Sequence, residues 1–162
     1  MKSPVFTGSA VAIVTPFKDG TVDFDSFGKL IEYHIDNGTD ALIVCGTTGE
    51  SATLSTHEKL ELIDYAVNIS SGRIKIIAGT GCNDTAKTLR MSLAAQLAGA
   101  DALLVVTPYY NKTTQKGLTA HYYNIADRVN IPLIVYNVPS RTGMSITPAT
   151  YLELSKHPNI NG

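Results

Sequence analysis

The sequence has few of the residues that support disulfide bridges or metal sites. Only two of its 162 residues are cysteine, Cys45 and Cys82, and they lie far apart without CxxC spacing. Its four histidines are scattered, with no HxxxH or HExxH pair. We therefore expect free thiols, no metal ion and no other cofactor.

Clusters of charge and long apolar runs are also missing. The 13 Lys and Arg nearly balance the 14 Asp and Glu, and no basic cluster could follow a phosphate backbone, which argues against nucleic-acid binding. The longest apolar runs have the length of a strand, and no apolar signal core follows the first residues, so neither a membrane span nor a signal peptide is predicted. We expect a cytoplasmic protein.

What the sequence does contain is a repeated alternation of short aliphatic runs and amphipathic segments. The runs predict parallel strands covered by helices, and their starts are spaced by about 30 residues, the length of one βα unit. This spacing alone fits either a doubly wound sheet or part of a (β/α)8 barrel. A glycine pattern at 79–84 lacks the third glycine of GxGxxG, which disfavours dinucleotide binding. The predicted strands are 10–14, 41–44, 74–78, 102–106 and 133–136, with the start of a sixth at 159–162.

Capping residues mark two of the helices between these strands. Ser55 and Glu58 have the spacing of a capping box, and Thr147 followed by Pro148 is typical of a helix start. After the third strand, the 3.6-residue period predicts a helix. Its predicted buried face consists of Leu89, Leu93, Ala94, Leu97 and Ala98.

Residues 45–51, Cys-Gly-Thr-Thr-Gly-Glu-Ser, form a polar loop after the second strand. Thr47 and Thr48 offer two hydroxyls and two backbone N–H groups, while Gly46 and Gly49 lack the Cβ atoms that would keep a ligand away from the backbone. The loop could cradle a small anion such as a carboxylate. Equally, it could be a plain strand-to-helix turn whose threonines satisfy the backbone.

Other polar side chains follow the fourth and fifth strands, and the carboxyl ends of parallel strands meet at one edge of the sheet. Tyr136, Thr47 and Tyr110 carry hydroxyls that could pass a proton in both directions. Arg141 could clamp a carboxylate with two hydrogen bonds. Together they indicate a small, anionic, carbonyl-bearing substrate. The alternatives are a packing role for Tyr136, an interface role for Tyr109 and Tyr110, and a solvated loop position for Arg141.

Four motifs at the strand ends resemble those of the dihydrodipicolinate synthase family of pyruvate-dependent aldolases. They run through the chain in the family's order and spacing. They are more similar to the synthases than to the related N-acetylneuraminate lyases, which usually have serine in place of Thr47. The motifs are residues 46–54 (GTTGESATL), 78–81 (AGTG), 106–111 (VTPYYN) and 136–143 (YNVPSRTG).

The resemblance implies a (β/α)8 TIM barrel in which a lysine forms a Schiff base with pyruvate. The resulting enamine would attack L-aspartate 4-semialdehyde, on the diaminopimelate route to lysine. By the same resemblance, Tyr136 donates and accepts protons, and Thr47 and Tyr110 complete the relay, with Tyr110 supplied by a neighbouring subunit. Thr48 would hold the pyruvate carboxylate and Arg141 would bind the aldehyde substrate. A homo-oligomer, usually a tetramer built from dimers, is implied as well.

The sequence is shorter than the family's pattern. The family's Schiff-base lysine lies about two residues beyond Gly162, on the sixth strand. Residues 1–162 would then be the N-terminal part of a single TIM-barrel domain, with the first five βα units and the start of strand six. We expect this chain alone to be inactive. The alternatives are a related pyruvate aldolase, similar to N-acetylneuraminate lyase, and a non-catalytic half barrel that pairs its open edges with another chain.

We expect lysine to inhibit this protein weakly or not at all. By the resemblance, family members that lysine inhibits tend to have histidine at the position of Lys59 and glutamate at that of Lys87. Two cations at these positions would repel the ammonium groups of a bound lysine. Calorimetric titration of the natural protein with lysine should therefore show weak binding or none, and tight binding would contradict this expectation.

Overall fold

Strands and helices alternate along most of the chain in the computed structural model, which describes residues 2–162. The first residue of the predicted domain lies outside this range. The strands are β1 (Ala10–Ala12), β2 (Phe17–Lys18), β3 (Thr21–Val22), β4 (Ala41–Val44), β5 (Lys75–Gly79), β6 (Ala102–Val106) and β7 (Leu133–Tyr136). The helices are α1 (Phe24–Asp36), α2 (Thr56–Ser70), α3 (Thr85–Leu97), α4 (Gln115–Ala126), α5 (Pro139–Thr142) and α6 (Pro148–Leu154).

Five of these strands form one parallel sheet in the order β1-β4-β5-β6-β7, which confirms the predicted α/β class. The sixth strand begins where the sequence predicted it. Ile160 pairs in parallel with Leu133, and the N–H of Val135 donates to the carbonyl of Gly162 at 2.8 Å. β2 and β3 form a separate antiparallel hairpin, which the sequence analysis did not predict.

Alternate residues of each parallel strand belong to two different cores. One set packs beneath the helices and includes the fully buried Leu42, Ile76 and Leu103. The other set faces the interior of the curved sheet and includes Ala41, Ile77 and Ala102. The N-terminal residues Val5 and Phe6 pack against this second set. The interior is therefore filled near the amino ends of the strands.

The N-terminal segment also holds the start of the sixth strand. The ammonium group of Lys2 donates to the carbonyls of Ser155 (2.6 Å), His157 (2.5 Å) and Ile160 (2.6 Å). Ser155 is the residue that caps the C-terminal end of α6, and a cation is favourable near the C-terminal end of a helix. Lys2 thereby ties the end of α6 to the beginning of the chain.

Both predicted helix starts are confirmed. The Ser55 hydroxyl accepts from the N–H of Glu58 (3.2 Å), and the Glu58 carboxylate accepts from the N–H of Ser55 (2.7 Å), which completes the capping box of α2. Thr147 caps α6, and Pro148 is its first residue. Local side-chain chemistry at these positions determines where the helices begin.

The predicted buried face of α3 is only partly right: Leu93 and Ala98 pack against the core, but the buried side chains of the helix are Thr88, Met91, Ser92 and Ala95. Leu97 is 86% exposed, whereas Thr88 and Ser92 are completely buried. Their hydroxyls reach the loop after β5: Thr88 Oγ1 accepts from the N–H of Cys82 (3.0 Å), and Ser92 Oγ lies 2.9 Å from Thr80 Oγ1. Because these polar groups find partners, α3 packs through a face that a search for apolar periodicity does not detect.

Replacing Thr88 by valine should destabilise the protein by about 1–3 kcal/mol, because valine keeps the shape but leaves the buried N–H of Cys82 without an acceptor. Thr119→Val on α4 is the matched control, since the Thr119 hydroxyl only donates to the carbonyl of Gln115 in its own helix. Urea unfolding of the natural protein measures both changes. Equal losses in the two variants would contradict the role given to Thr88.

Candidate active site

A cavity of about 370 Å³ opens at the carboxyl ends of the parallel strands. This is a volume that suits a small metabolite. The loops after β4, β5, β6 and β7 form its walls, as expected for an active site in a parallel α/β fold. The side chains around it include Cys45, Thr47, Glu50, Tyr109, Tyr136 and Arg141.

The loop after β4 turns sharply away from the sheet, because Cys45 has φ = 57° directly after the strand. Gly46 lines the cavity, as the sequence analysis expected. Gly49 does not, and a Cβ atom there would lie 3.1 Å from the carbonyl oxygen of Ile13. The carbonyl of Gly49 also accepts from the hydroxyl of Thr15 at 2.8 Å. The expected ligand access at Gly49 is therefore wrong, and this glycine lets the loop pack against the residues after β1.

Thr47 and Tyr136 meet inside the cavity. Tyr136 is the last residue of β7, and its hydroxyl lies 3.3 Å from Thr47 Oγ1. Either oxygen can be the donor, so a proton can pass in both directions between two neutral groups. The chain thus brings together two of the three hydroxyls of the predicted relay.

Tyr110, which carries the third hydroxyl of the predicted relay, is not among the residues that line the cavity with Thr47 and Tyr136. It is 90% exposed and has φ = 65°, a left-handed backbone that a bulky residue adopts only when its surroundings enforce it. Its neighbour Tyr109 lines the cavity instead, and burial raises the pKa of Tyr109.

Thr48 is exposed and is not among the residues that line the cavity. The roles predicted for Tyr110 and Thr48 stay predictions.

Arg141 lies in α5, at the rim of the cavity, and its side chain is exposed. None of the ion pairs between residues 2 and 162 includes it. Its guanidinium group therefore keeps its donors for a ligand, and a carboxylate fits them best.

Two further residues of the cavity wall, Gly79 and Glu50, received no role from the sequence. A Cβ atom at Gly79 would collide with the carbonyl oxygen of Cys45, so only glycine fits between the ends of β4 and β5. A glycine inside an aliphatic strand is the sequence feature from which this close approach could have been predicted. Glu50 has no comparable local signal, because an exposed glutamate in a loop is ordinary.

Lys59, which entered the expectation about lysine, is partly buried on α2. Burial lowers the pKa of its ammonium group, and the nearby Lys87 lowers this pKa further. The two cations are therefore close enough to repel each other. This agrees with the expected repulsion of a lysine ligand, which stays a prediction.

Throughout residues 2–162, no group of three or more His, Cys, Asp or Glu side chains is arranged to hold a metal ion. Nor does this part of the chain contain a helix that is long and apolar enough to cross a membrane. Cys45 and Cys82 are both free and buried.

The parallel strands and the cavity at their carboxyl ends define part of a TIM-barrel protein, with hydroxyls inside the cavity and a guanidinium group at its rim. The model of the dihydrodipicolinate synthetase family matches residues 5–162. The chain belongs to this family.

Similar curated proteins carry the name 4-hydroxy-tetrahydrodipicolinate synthase. The one from Thermoanaerobacter sp. (strain X514) is 61% identical over 154 residues, which cover 95% of this chain and 52% of that protein. The one from Caldicellulosiruptor saccharolyticus is 56% identical over 158 residues, which cover 97% of this chain and 54% of that protein. The chain therefore spans about half the length of the curated relatives it matches.

The fold comparison agrees with the family. The crystal structure of dihydrodipicolinate synthase from Aquifex aeolicus matches with a TM-score of 0.94 at 52% identity, over 96% of this chain and 53% of that chain. The five parallel strands correspond to the N-terminal part of that TIM barrel, which confirms the predicted fold class.

Cys45 should resist alkylation in the folded protein. Burial raises the pKa of its thiol to about 12, so at pH 8 the thiol is almost entirely protonated and the reactive thiolate is scarce. Iodoacetamide at pH 8, followed by peptide mass spectrometry, should leave Cys45 unmodified. The same treatment in urea is the control, because an exposed thiol has a pKa of roughly 8.5 and reacts. Complete labelling of Cys45 without urea would contradict this picture.

Proposed function

We propose that the natural protein is a lyase that condenses pyruvate with L-aspartate 4-semialdehyde, the reaction of a 4-hydroxy-tetrahydrodipicolinate synthase. The observation that carries the proposal is the contact between Thr47 and Tyr136 inside the cavity at the strand ends. The names of the relatives support it, since the curated proteins that this chain matches at 56% and 61% identity carry the name of such a synthase. The substrates and the reaction come to this chain by that similarity.

The chemistry begins with a lysine amine that attacks the keto carbon of pyruvate and, with loss of water, forms a Schiff base. Loss of a methyl proton then gives an enamine, whose carbon forms a bond to the aldehyde carbon of the second substrate. By the family's pattern the lysine lies about two residues beyond Gly162. The strand segment at 160–162 runs beside β7, so this strand would bring the amine close to Tyr136.

Tyr136 would donate and accept the protons of these steps, with Thr47 as the next member of the relay. A hydroxyl pair suits this task because neither group has to carry a charge before or after the proton moves. Their separation of 3.3 Å is long for a hydrogen bond between hydroxyls. A small movement on substrate binding would shorten it to the usual range.

Tyr110 would complete the relay in the cavity of a second copy of the protein. Its exposure and its left-handed backbone agree with a side chain that serves a neighbouring subunit. We therefore propose a homo-oligomer, as the family usually forms tetramers from dimers.

Thr48 and Arg141 would hold the two substrates. Thr48 would bind the carboxylate of pyruvate through its hydroxyl and backbone N–H, and Arg141 would bind the carboxylate of the aldehyde at the rim. The proposal also includes a cytoplasmic location and residues 1–162 as the N-terminal part of one TIM-barrel domain.

Trapping the Schiff base tests the proposal. Natural protein incubated with pyruvate and borohydride should gain one pyruvyl group per chain, measured as intact mass. Tyr136→Phe should slow adduct formation about a hundredfold, because general acid–base catalysis is lost. Tyr123→Phe is the control, since the Tyr123 hydroxyl bonds the carbonyl of Glu153, outside the cavity.

Arg141→Gln should leave the pyruvate adduct unchanged and raise the KM for the aldehyde about tenfold, as expected when a charged hydrogen bond to the substrate is lost. The absence of any adduct on the natural protein would refute the catalytic proposal. A carboxylate-binding half barrel would then be the remaining function.

A further inference from the structure

The cavity wall carries charged side chains of both signs. Among the residues that line it, only Glu50 has a carboxylate and only Arg141 has a guanidinium group. The ionisable neighbours Cys45 and Tyr109 stay neutral, because burial raises the pKa of each. A ligand in the cavity therefore meets one anion and one cation.

Neither charge is used within the chain. The ion pairs of residues 2–162 include neither Glu50 nor Arg141. Other acidic side chains near helix starts do bind the backbone: Glu58 completes the capping box of α2 with Ser55, and Asp84 caps α3. Glu50 lies outside any helix and caps none.

The backbone around Glu50 holds this residue in place. Glu50 has φ = 55°, and its N–H donates to the carbonyl of Thr47 at 3.1 Å. Its carbonyl accepts from both the N–H and the hydroxyl of Thr53, each at 3.0 Å. These bonds fix an unfavourable backbone conformation, which places the residue at the cavity wall without using its carboxylate.

Backbone carbonyls of the cavity wall are the other acceptors that a positively charged ligand group could use. The carbonyl of Gly46 accepts from the N–H of Ser51, that of Thr47 from Glu50, and that of Val138 from Arg141. Each of these backbone carbonyls of the wall already accepts one hydrogen bond within the chain. Glu50 carries the one carboxyl group among the residues that line the cavity, and a hydrogen bond to an ionised group is about twice as strong as a neutral one.

We propose that Glu50 selects the acceptor aldehyde by binding its ammonium group while Arg141 binds its carboxylate. This inference rests on the proposed function and adds a residue that recognises the substrate as an α-amino acid. Glu50 is a specificity-determining residue in this scheme, and it takes no part in forming the Schiff base with pyruvate.

A pair of opposite charges discriminates between aldehydes with and without an amino group. An aldehyde with both an ammonium and a carboxylate group pairs with both charges, whereas an aldehyde without the ammonium group leaves the Glu50 carboxylate unpaired beside the bound substrate. Because the cavity is open to solvent at its rim, the discrimination is modest, about fivefold to tenfold.

The test compares two acceptors on the same protein sample. The natural protein, supplied with pyruvate, is assayed with L-aspartate 4-semialdehyde and with succinate semialdehyde, which lacks the amino group. The ratio of their kcat/KM values should fall about fivefold to tenfold in Glu50→Gln. It should change much less in Glu50→Asp, which keeps the charge. Because the ratio compares two substrates, the folded fraction of each variant cancels.

Glu61→Gln is the matched control, since Glu61 is an exposed carboxylate on α2 outside the cavity. An unchanged ratio in Glu50→Gln, with normal turnover of the amino aldehyde, would overturn the inference and leave the proposed function standing. If the natural protein forms the pyruvate adduct but condenses neither aldehyde, or forms no adduct, the proposed function fails. These outcomes are distinguishable because adduct formation does not involve Glu50.

Discussion

The close approach of the ends of β4 and β5 shapes the whole site. The carbonyl of Cys45 occupies the space that a side chain at Gly79 would need, and this allows the chain to turn outward directly after β4. Parallel pairing then fixes the height of the other strand ends, since Val106 pairs with Tyr136 at the end of the sheet. The Thr47 loop and the last residue of β7 consequently face each other across the interior, where their hydroxyls can share a proton.

Neutral hydroxyls and ionisable side chains line the same cavity. The Cys45 thiol is buried, and burial raises its pKa, so it is protonated at neutral pH. Tyr136 is half-buried, whereas Thr47, Glu50 and Arg141 are exposed. The ion pairs of residues 2–162 include neither Glu50 nor Arg141. Such a site offers a carboxyl and a guanidinium group to a substrate, and a pair of neutral hydroxyls for proton transfer.

Patterns with a local physical cause were predictable from the sequence. The aliphatic strands, the capping box at Ser55 and the residues of the strand-end motifs belong to this group, and Thr47 and Tyr136 do lie together. Features decided by partners distant in sequence were not predictable. The buried face of α3 can include the polar Thr88 because the Thr88 hydroxyl bonds Cys82 in the preceding loop, and an apolar period cannot reveal such a partner. A binding role for Glu50 can likewise be inferred only from the structure, which places Glu50 and Arg141 on the wall of the same cavity.

The tie between Lys2 and the carbonyls near the sixth strand has a consequence for the order of folding. Its hydrogen bonds join residues that are 153 to 158 positions apart in sequence. Contacts of such separation close a very large loop, and they become favourable only after the intervening βα units have paired. The tie is therefore a late event that adds little to the rate of folding, and its stabilisation is expressed as slower unfolding of the segment that follows α6.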